Sequence, residues 1–248
     1  MAEFSGKQIV RLGKRLRDDG EPDVQDLEML GEVLLTYDRA LTEASARLTA
    51  NGLEATTRLK TSGTIVDKLR RQRSIDLKHI HDLAGARIVQ RMTLDQQDEV
   101  ASTIVAAFPG SELLDRREEP SSGYRAVHVI ARVDDCPIEI QLRTHYQDTW
   151  AQAMEFFGDR WGREIRYGGE PNDPDSRDGN LEGSTRRETI EGLKRFGDDL
   201  HSLAVAENAL EKMRLLGADP GRIEALESQL ATTFRQQKAA YDALRKAL

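Results

Sequence analysis

Apolar residues recur at helical spacing over long tracts of the chain and at period two over short ones. Residues 5–20 set Ile9, Val10, Leu12 and Leu16 among Lys7, Arg11, Lys14, Arg15 and Arg17, which predicts a short basic amphipathic helix broken at Gly20 to Pro22. Over residues 24–50, Leu27, Leu30, Leu34, Tyr37, Leu41, Ala44 and Leu48 stand alternately three and four apart and make one apolar stripe. Asn51-Gly52 closes that helix. A further helix starts near Ser62 to Thr64 and buries Ile65 and Leu69. Another covers 94–107 and ends at Phe108-Pro109-Gly110. A helix over 145–157 carries Tyr146, Trp150, Ala153 and Phe157 on one stripe, where Trp150 reads as core. Two last segments, 186–216 and 220–247, are split by Gly217 and Pro220 and predict an antiparallel helical hairpin.

Period-two writing marks the strands. The richest stretch is 124–144. Its first run puts Arg125, Val127, Val129 and Ala131 on one face and Tyr124, Ala126, His128, Ile130 and Arg132 on the other. Residues 134–137 supply a turn. The second run alternates Ile138, Ile140 and Leu142 with Glu139, Gln141 and Arg143. That polar face is either solvated or lines a site for a metal and phosphates. Weaker strands are expected at 87–92 and 111–117. Four segments follow: N-terminal helices over 1–52, a core over 53–167, a mobile acidic Gly/Pro/Asp linker over 168–185 and the hairpin over 186–248.

Composition narrows the class. The chain has 248 residues, 38% of them hydrophobic and 32% charged, which suffices for a globular fold with a sizeable core. A net charge of −7 argues against a general nucleic-acid coat protein but allows a local basic patch. The single Cys136 excludes an intramolecular disulfide and a cysteine-based zinc site. The N-terminus lacks a signal-peptide core and there is no apolar run of spanning length, so a cytoplasmic location without membrane contact is expected.

Candidate chemistry lies mainly between residues 58 and 143. Arg58, Lys60, Lys68, Arg70, Arg71 and Arg73 make the most basic stretch. Ser62-Gly63-Thr64 at a helix start offers backbone N–H groups and hydroxyls to a phosphate, although the spacing is not that of a P-loop. A solvated basic helix is the other reading. His79, His81 and Asp82 resemble a metal cluster, yet an HD-type site needs further His and Asp ligands and none is read upstream, the other His being at 128, 145 and 201. Asp82 with Glu139 is the better candidate for Mg²⁺, which takes one or two carboxylates and leaves the rest to water and phosphates. Tyr124, after Gly123, reads as a base-stacking platform or a strand anchor. The Lys7–Arg17 helix is a solvated face or a contact for an anionic partner such as RNA.

Four segments in order resemble the synthetase domain of the RelA/SpoT family, most of all the stand-alone small alarmone synthetases. They are Arg58-x-Lys60 through Thr64, Lys68 and Arg71; Asp82 to Arg87; Gly123 to His128; and Glu139 to Thr144 followed by Trp150-Ala151. The resemblance implies an α+β fold, a mixed β-sheet flanked by helices and similar to nucleotidyltransferases. It implies an enzyme of GTP pyrophosphokinase type that moves pyrophosphate from ATP to a ribose 3′-hydroxyl of GDP or GTP. Arg58, Lys60, Thr64, Lys68, Arg71 and Arg87 would hold ATP, mostly at its phosphates. Asp82 would bind Mg²⁺, and Glu139 would share the metal or act as base. Tyr124 would stack on the acceptor base, with Arg125, His128, Gln141 and Arg143 orienting the acceptor. Synthesis without hydrolysis is expected, since no HD hydrolase segment precedes the synthetase part.

This chain departs from the family pattern at Thr64 for Ser, at Ser121 for Lys, and at Met154-Glu155 where Glu-His is usual. Those changes bear on the acceptor more than on ATP. A toxic branch of the family that modifies the tRNA 3′-CCA end is therefore the alternative. A non-catalytic nucleotide sensor is a further one, with an antitoxin protein or a second copy of the chain as partner.

Overall fold

The computed structural model describes residues 4–178 and 183–246. The order is α1 (Gly6–Arg17), α2 (Val24–Ala50), β1 (Thr56–Leu59), α3 (Ser62–Arg71), β2 (Ala84–Gln90), α4 (Leu94–Ala107), β3 (Glu112–Asp115), β4 (Val127–Val133), β5 (Cys136–Thr144), α5 (His145–Trp161), α6 (Arg186–Leu215) and α7 (Pro220–Lys246). The five strands form one mixed sheet in the order β1-β2-β5-β4-β3. This is the α+β architecture expected from the sequence.

Two compact units divide the chain. One comprises Met1–Ile88, Val100–Leu114 and His128–Leu142; the other comprises Val89–Glu99, Asp115–Val127 and Arg143–Leu248. They cut across the segments drawn from the sequence.

In the first unit, Ser5 and Gln8 form a capping box that starts α1. Leu12 and Leu16 of α1 are fully buried, as are Leu30, Ala44 and Leu48 of α2 or nearly so. Gly13 is required where α1 crosses the 77–79 turn, because a Cβ there would lie 2.7 Å from Leu77 Cβ. The β4–β5 turn is tighter than expected. Only Asp134 and Asp135 form it, at φ +48° and +64°, and Cys136 and Pro137 already belong to β5. A two-residue hairpin loop of the type I′ kind needs left-handed backbone at both positions, which Asp tolerates better than most residues.

In the second unit, α5 packs against α6, and α6 against α7. Trp150, Phe157, Trp161, Leu193, Leu200 and Leu203 lie in their shared core. Phe196 stacks on Tyr241, and Arg214 pairs with Glu227, so α6 and α7 run antiparallel. Of the expected linker, residues 179–182 lie outside the described residues. Before them, Asn172 N–H donates to Trp161 O at 2.5 Å, and Asp178 pairs at 2.8 Å with Arg186, which follows them. No described helix is long and apolar enough to cross a membrane.

Candidate active site

The β1–β2 edge builds the first half of the site. The strands pair antiparallel with Thr56 opposite Arg87 and Leu59 opposite Ala84. Lys60 N–H continues the ladder onto Leu83 O at 2.8 Å, which brings Lys60 alongside Asp82. The next residue, Thr61, is the N-cap of α3, its hydroxyl accepting from Thr64 N–H. Two turns on, Lys68 points back to the same carboxylate. Lys68 Nζ donates to Asp82 Oδ1 at 2.7 Å, and Lys60 Nζ lies 3.0 Å from Oδ2. Burial opposes the charge on Asp82, but the Lys68 hydrogen bond and the Lys60 charge outweigh it and hold the carboxyl below its usual range. Asp82 is thus an ionised acid between two cations.

The second acid stands on β5. Ile138, Ile140 and Leu142 are fully buried, whereas the alternating Glu139 and Gln141 are only partly so. This is the period-two pattern of the sequence, carried into one apolar and one polar sheet face. His128 Nδ1 of β4 lies 3.0 Å from Glu139 Oε1, and Gln141 Nε2 donates to Glu139 Oε2 at 2.9 Å. Burial and the nearby Asp82 charge push Glu139 up, and the His128 and Gln141 contacts bring it below the ordinary carboxylate range. Both acids are therefore charged at neutral pH, and the Asp82 charge is felt at Glu139.

The other basic residues take different positions. Arg58 is exposed on β1 opposite Gly85, and Arg87 stands opposite Thr56 on the same side of the ladder. Gly85 keeps β2 close to β5, since a Cβ would approach Glu139 O to 3.3 Å. Thr64 Oγ1 donates to Thr61 O at 2.8 Å, so its hydroxyl serves the helix cap. Arg71 is exposed at the end of α3. His79 is 65% exposed and lies 3.9 Å from Asp76. Among the described residues no three His, Cys, Asp or Glu side chains are grouped to hold a metal. Asp82 and Glu139 are the carboxylates available to one.

In the second unit, Tyr124 follows a turn in which Ser122 and Gly123 have φ of +56° and +91°. Arg143 Nη2 donates to Tyr124 Oη at 3.2 Å, and the guanidinium carbon lies 5.2 Å from the ring centroid. Trp150 is buried beside it, with ring centroids 6.2 Å apart, and its N–H donates to Leu193 O. Arg125 is engaged by α6. Its guanidinium donates to Asp198 Oδ1 at 3.0 Å, to Gly197 O and to Arg117 O. The alternation in the sequence already set Arg125 on the face opposite Tyr124. Sequence reasoning missed Asp148, which accepts from Arg143, Gln152, which donates to Asp148, and the buried amide pair Gln97–Gln147. Nothing in local spacing marks Gln97 and Gln147, fifty residues apart, as partners, and Asp148 is five residues from Arg143 across the strand-to-helix turn.

The family described as a region found in RelA / SpoT proteins matches residues 57–156, which span every site residue named above except those of α6. The uncharacterized proteins Rv1366 of Mycobacterium tuberculosis and Mb1401 of Mycobacterium bovis are each 37% identical over 175 residues, 68% of this chain and 64% of theirs. The chain thus spans a little under two thirds of the length of these relatives. Small alarmone synthetase 1 from Bacillus subtilis has a TM-score of 0.58 at 19% identity, covering 77% of this chain and 100% of that one. The same synthetase has been solved bound to its product pppGpp and to AMPCPP, with TM-scores of 0.56 and 0.52. Small alarmone synthetase 2 from that organism gives 0.54 at 24% identity, with 72% and 96% covered. Residues 57–156 are thus similar to the region found in RelA / SpoT proteins, and the chain shares its fold with the small alarmone synthetases.

Proposed function

We propose that the protein is an ATP-dependent pyrophosphokinase that transfers the β,γ-pyrophosphate of ATP to the 3′-hydroxyl of GDP or GTP, giving ppGpp or pppGpp. The observation that carries this reading is the polar face of the first unit. There Asp82 is ionised between Lys60 and Lys68, and Glu139 is ionised beside His128 and Gln141. The nucleotides held by Bacillus subtilis synthetase 1 support the choice of substrates.

The chemistry balances as follows. The 3′-oxygen of the acceptor attacks the β-phosphorus. The bond from that phosphorus to the α,β-bridging oxygen breaks, and AMP leaves with the oxygen. Glu139 takes the hydroxyl proton, for which it must be unprotonated. Negative charge gathers on the phosphate oxygens, where Lys60, Lys68, Arg58 and Arg87 stabilise it. Asp82 and Glu139 fit Mg²⁺, an oxygen-seeking ion that takes one or two carboxylates beside substrate phosphates. When bound, it would neutralise phosphate charge. Tyr124 stacks on the acceptor base, and Arg143, His128 and Gln141 orient the acceptor.

One observation favours tRNA as a second acceptor. Lys7, Arg11 and Lys14 of α1 are exposed on one side of the helix, whereas Arg15 and Arg17 are engaged by Asp26 and Asp76. Purified protein given ATP labelled in the γ-phosphate with Mg²⁺, and GDP, GTP or deacylated tRNA in parallel, separates the two. Label on a guanine nucleotide supports the first reading. Label on tRNA alone supports the second. No label on any of the three overturns both.

A further inference from the structure

Behind Arg143 and Tyr124, the second unit contains a polar pair, buried Asp148 and its partner Gln152, to which the roles above assign nothing. Arg143 and Asp148 form an ion pair, Nη1 to Oδ1 at 3.2 Å, with side chains only 4% and 11% exposed. The other oxygen of Asp148 accepts from Gln152 Nε2 at 2.6 Å. Both carboxylate oxygens are thus occupied. The acid sits in the first turn of α5, a helix fixed by the Thr144–Gln147 capping box. From the far side of the same guanidinium, Nη2 donates to Tyr124 Oη. The rigid helix therefore reaches the tyrosine ring through one intermediate, Arg143.

We propose that Asp148 is a positioning residue for the acceptor nucleotide: through Arg143 it sets the plane of the Tyr124 ring on which the acceptor base stacks. The proposal rests on the assignment of Tyr124 and Arg143 to the acceptor side. Asp148 itself touches no substrate. Replacing it leaves a buried guanidinium without its counter-charge, and the arginine then turns away from the ring to find water. Stacking demands a fixed ring plane, and small misplacements of a positioning group are expensive in binding and rate.

The test compares wild type with Asp148→Asn, which keeps the shape and removes the charge, and with Asp148→Glu. Steady-state kinetics with GDP and ATP varied in turn are expected to show a roughly tenfold to hundredfold rise in KM for GDP in Asp148→Asn. KM for ATP should stay within about twofold, and Asp148→Glu should recover part of the loss. Equal changes in both KM values, or an unchanged KM for GDP, overturn the proposal. A ligand-free readout accompanies the kinetics. In protein with ¹³C-labelled tyrosine, Asp148→Asn should move the Tyr124 ring signals and leave those of Tyr37, a core residue of α2, in place. If wild type transfers nothing, the assigned reaction falls, while the Tyr124 signals still decide whether Asp148 holds the ring. Unmoved Tyr124 signals overturn the proposal whatever the activity.

Discussion

His128 Nδ1 stands 3.0 Å from Glu139 Oε1, and this pairing across β4 and β5 helps to keep a largely buried acid ionised. The sign of the pH effect follows. A carboxyl held below its ordinary range stays charged until the pH falls through the lowered value, so its use as a base is lost only on the acid side. His128→Gln removes the partner and lets burial raise Glu139. The acid limb of the kcat/KM profile should then move to higher pH. A limb that stays where it was in wild type would show that Glu139 is not the titrating group.

Lys60 and Lys68 share one carboxylate, and both should face the transferring phosphates once nucleotide is bound. Lys60→Met is expected to lower kcat by roughly 10²- to 10³-fold, the usual loss on removing one electrostatic stabiliser of a developing charge. Circular dichroism should remain that of wild type, since Lys60 and Asp82 are both partly exposed. Turnover within a few-fold of wild type would remove Lys60 from the site.

His145 opens α5 with its ring 3.8 Å from that of Tyr146 and edge-on to Phe234. Burial, assisted by the Arg91 charge, pushes its imidazole down to about 4. The folded chain keeps it neutral, while the unfolded chain takes the proton near pH 6.5. This contribution to stability is thus lost as the pH drops below about 6.5, and the loss levels off near 4. His145→Phe should flatten the fall of Tm between those values. An equally steep fall in the variant would place the titration elsewhere.

Trp150 is held between two glycines. A Cβ on Gly123 would lie 3.0 Å from Trp150 Cζ2, at a φ of +91°, and one on Gly197 would lie 2.7 Å from Trp150 Nε1. Gly123→Ala and Gly197→Ala should each destabilise the fold by about 1–3 kcal/mol through overpacking, with strained backbone adding to the first. Chemical denaturation measures both. A Gly197→Ala protein as stable as wild type would mean that α6 yields easily at this contact.

Much of this was legible in the chain. The stripe from Leu30 to Leu48 and the alternation from Ile138 to Arg143 fixed the faces of α2 and β5, because burial follows those periods directly. Only Leu27 strays, at 38% exposure. Strand β1 was not foreseen: its Thr-Thr-Arg-Leu run is four residues at a sheet edge, mostly exposed, with no apolar alternation to read. The residues proposed to carry chemistry were picked out by type and spacing together with the resemblance to the RelA/SpoT family, yet their partners were not. That Lys68 reaches Asp82 depends on where α3 leaves β1, and that Asp148 reaches Arg143 depends on the cap of α5. Arg125 shows the limit from the other side. Its type suits a nucleotide, and only the fold reveals Asp198 and the Gly197 carbonyl around it.

The most direct measurement is the product balance of the reaction. Purified protein is incubated with ATP, GDP and Mg²⁺, and the nucleotides are resolved by anion exchange, with Glu139→Gln in parallel. Pyrophosphate transfer predicts AMP and ppGpp in equal amounts, reduced by about 10²- to 10⁴-fold in the variant. ADP in place of AMP, or AMP without a matching pyrophosphorylated product, would contradict it.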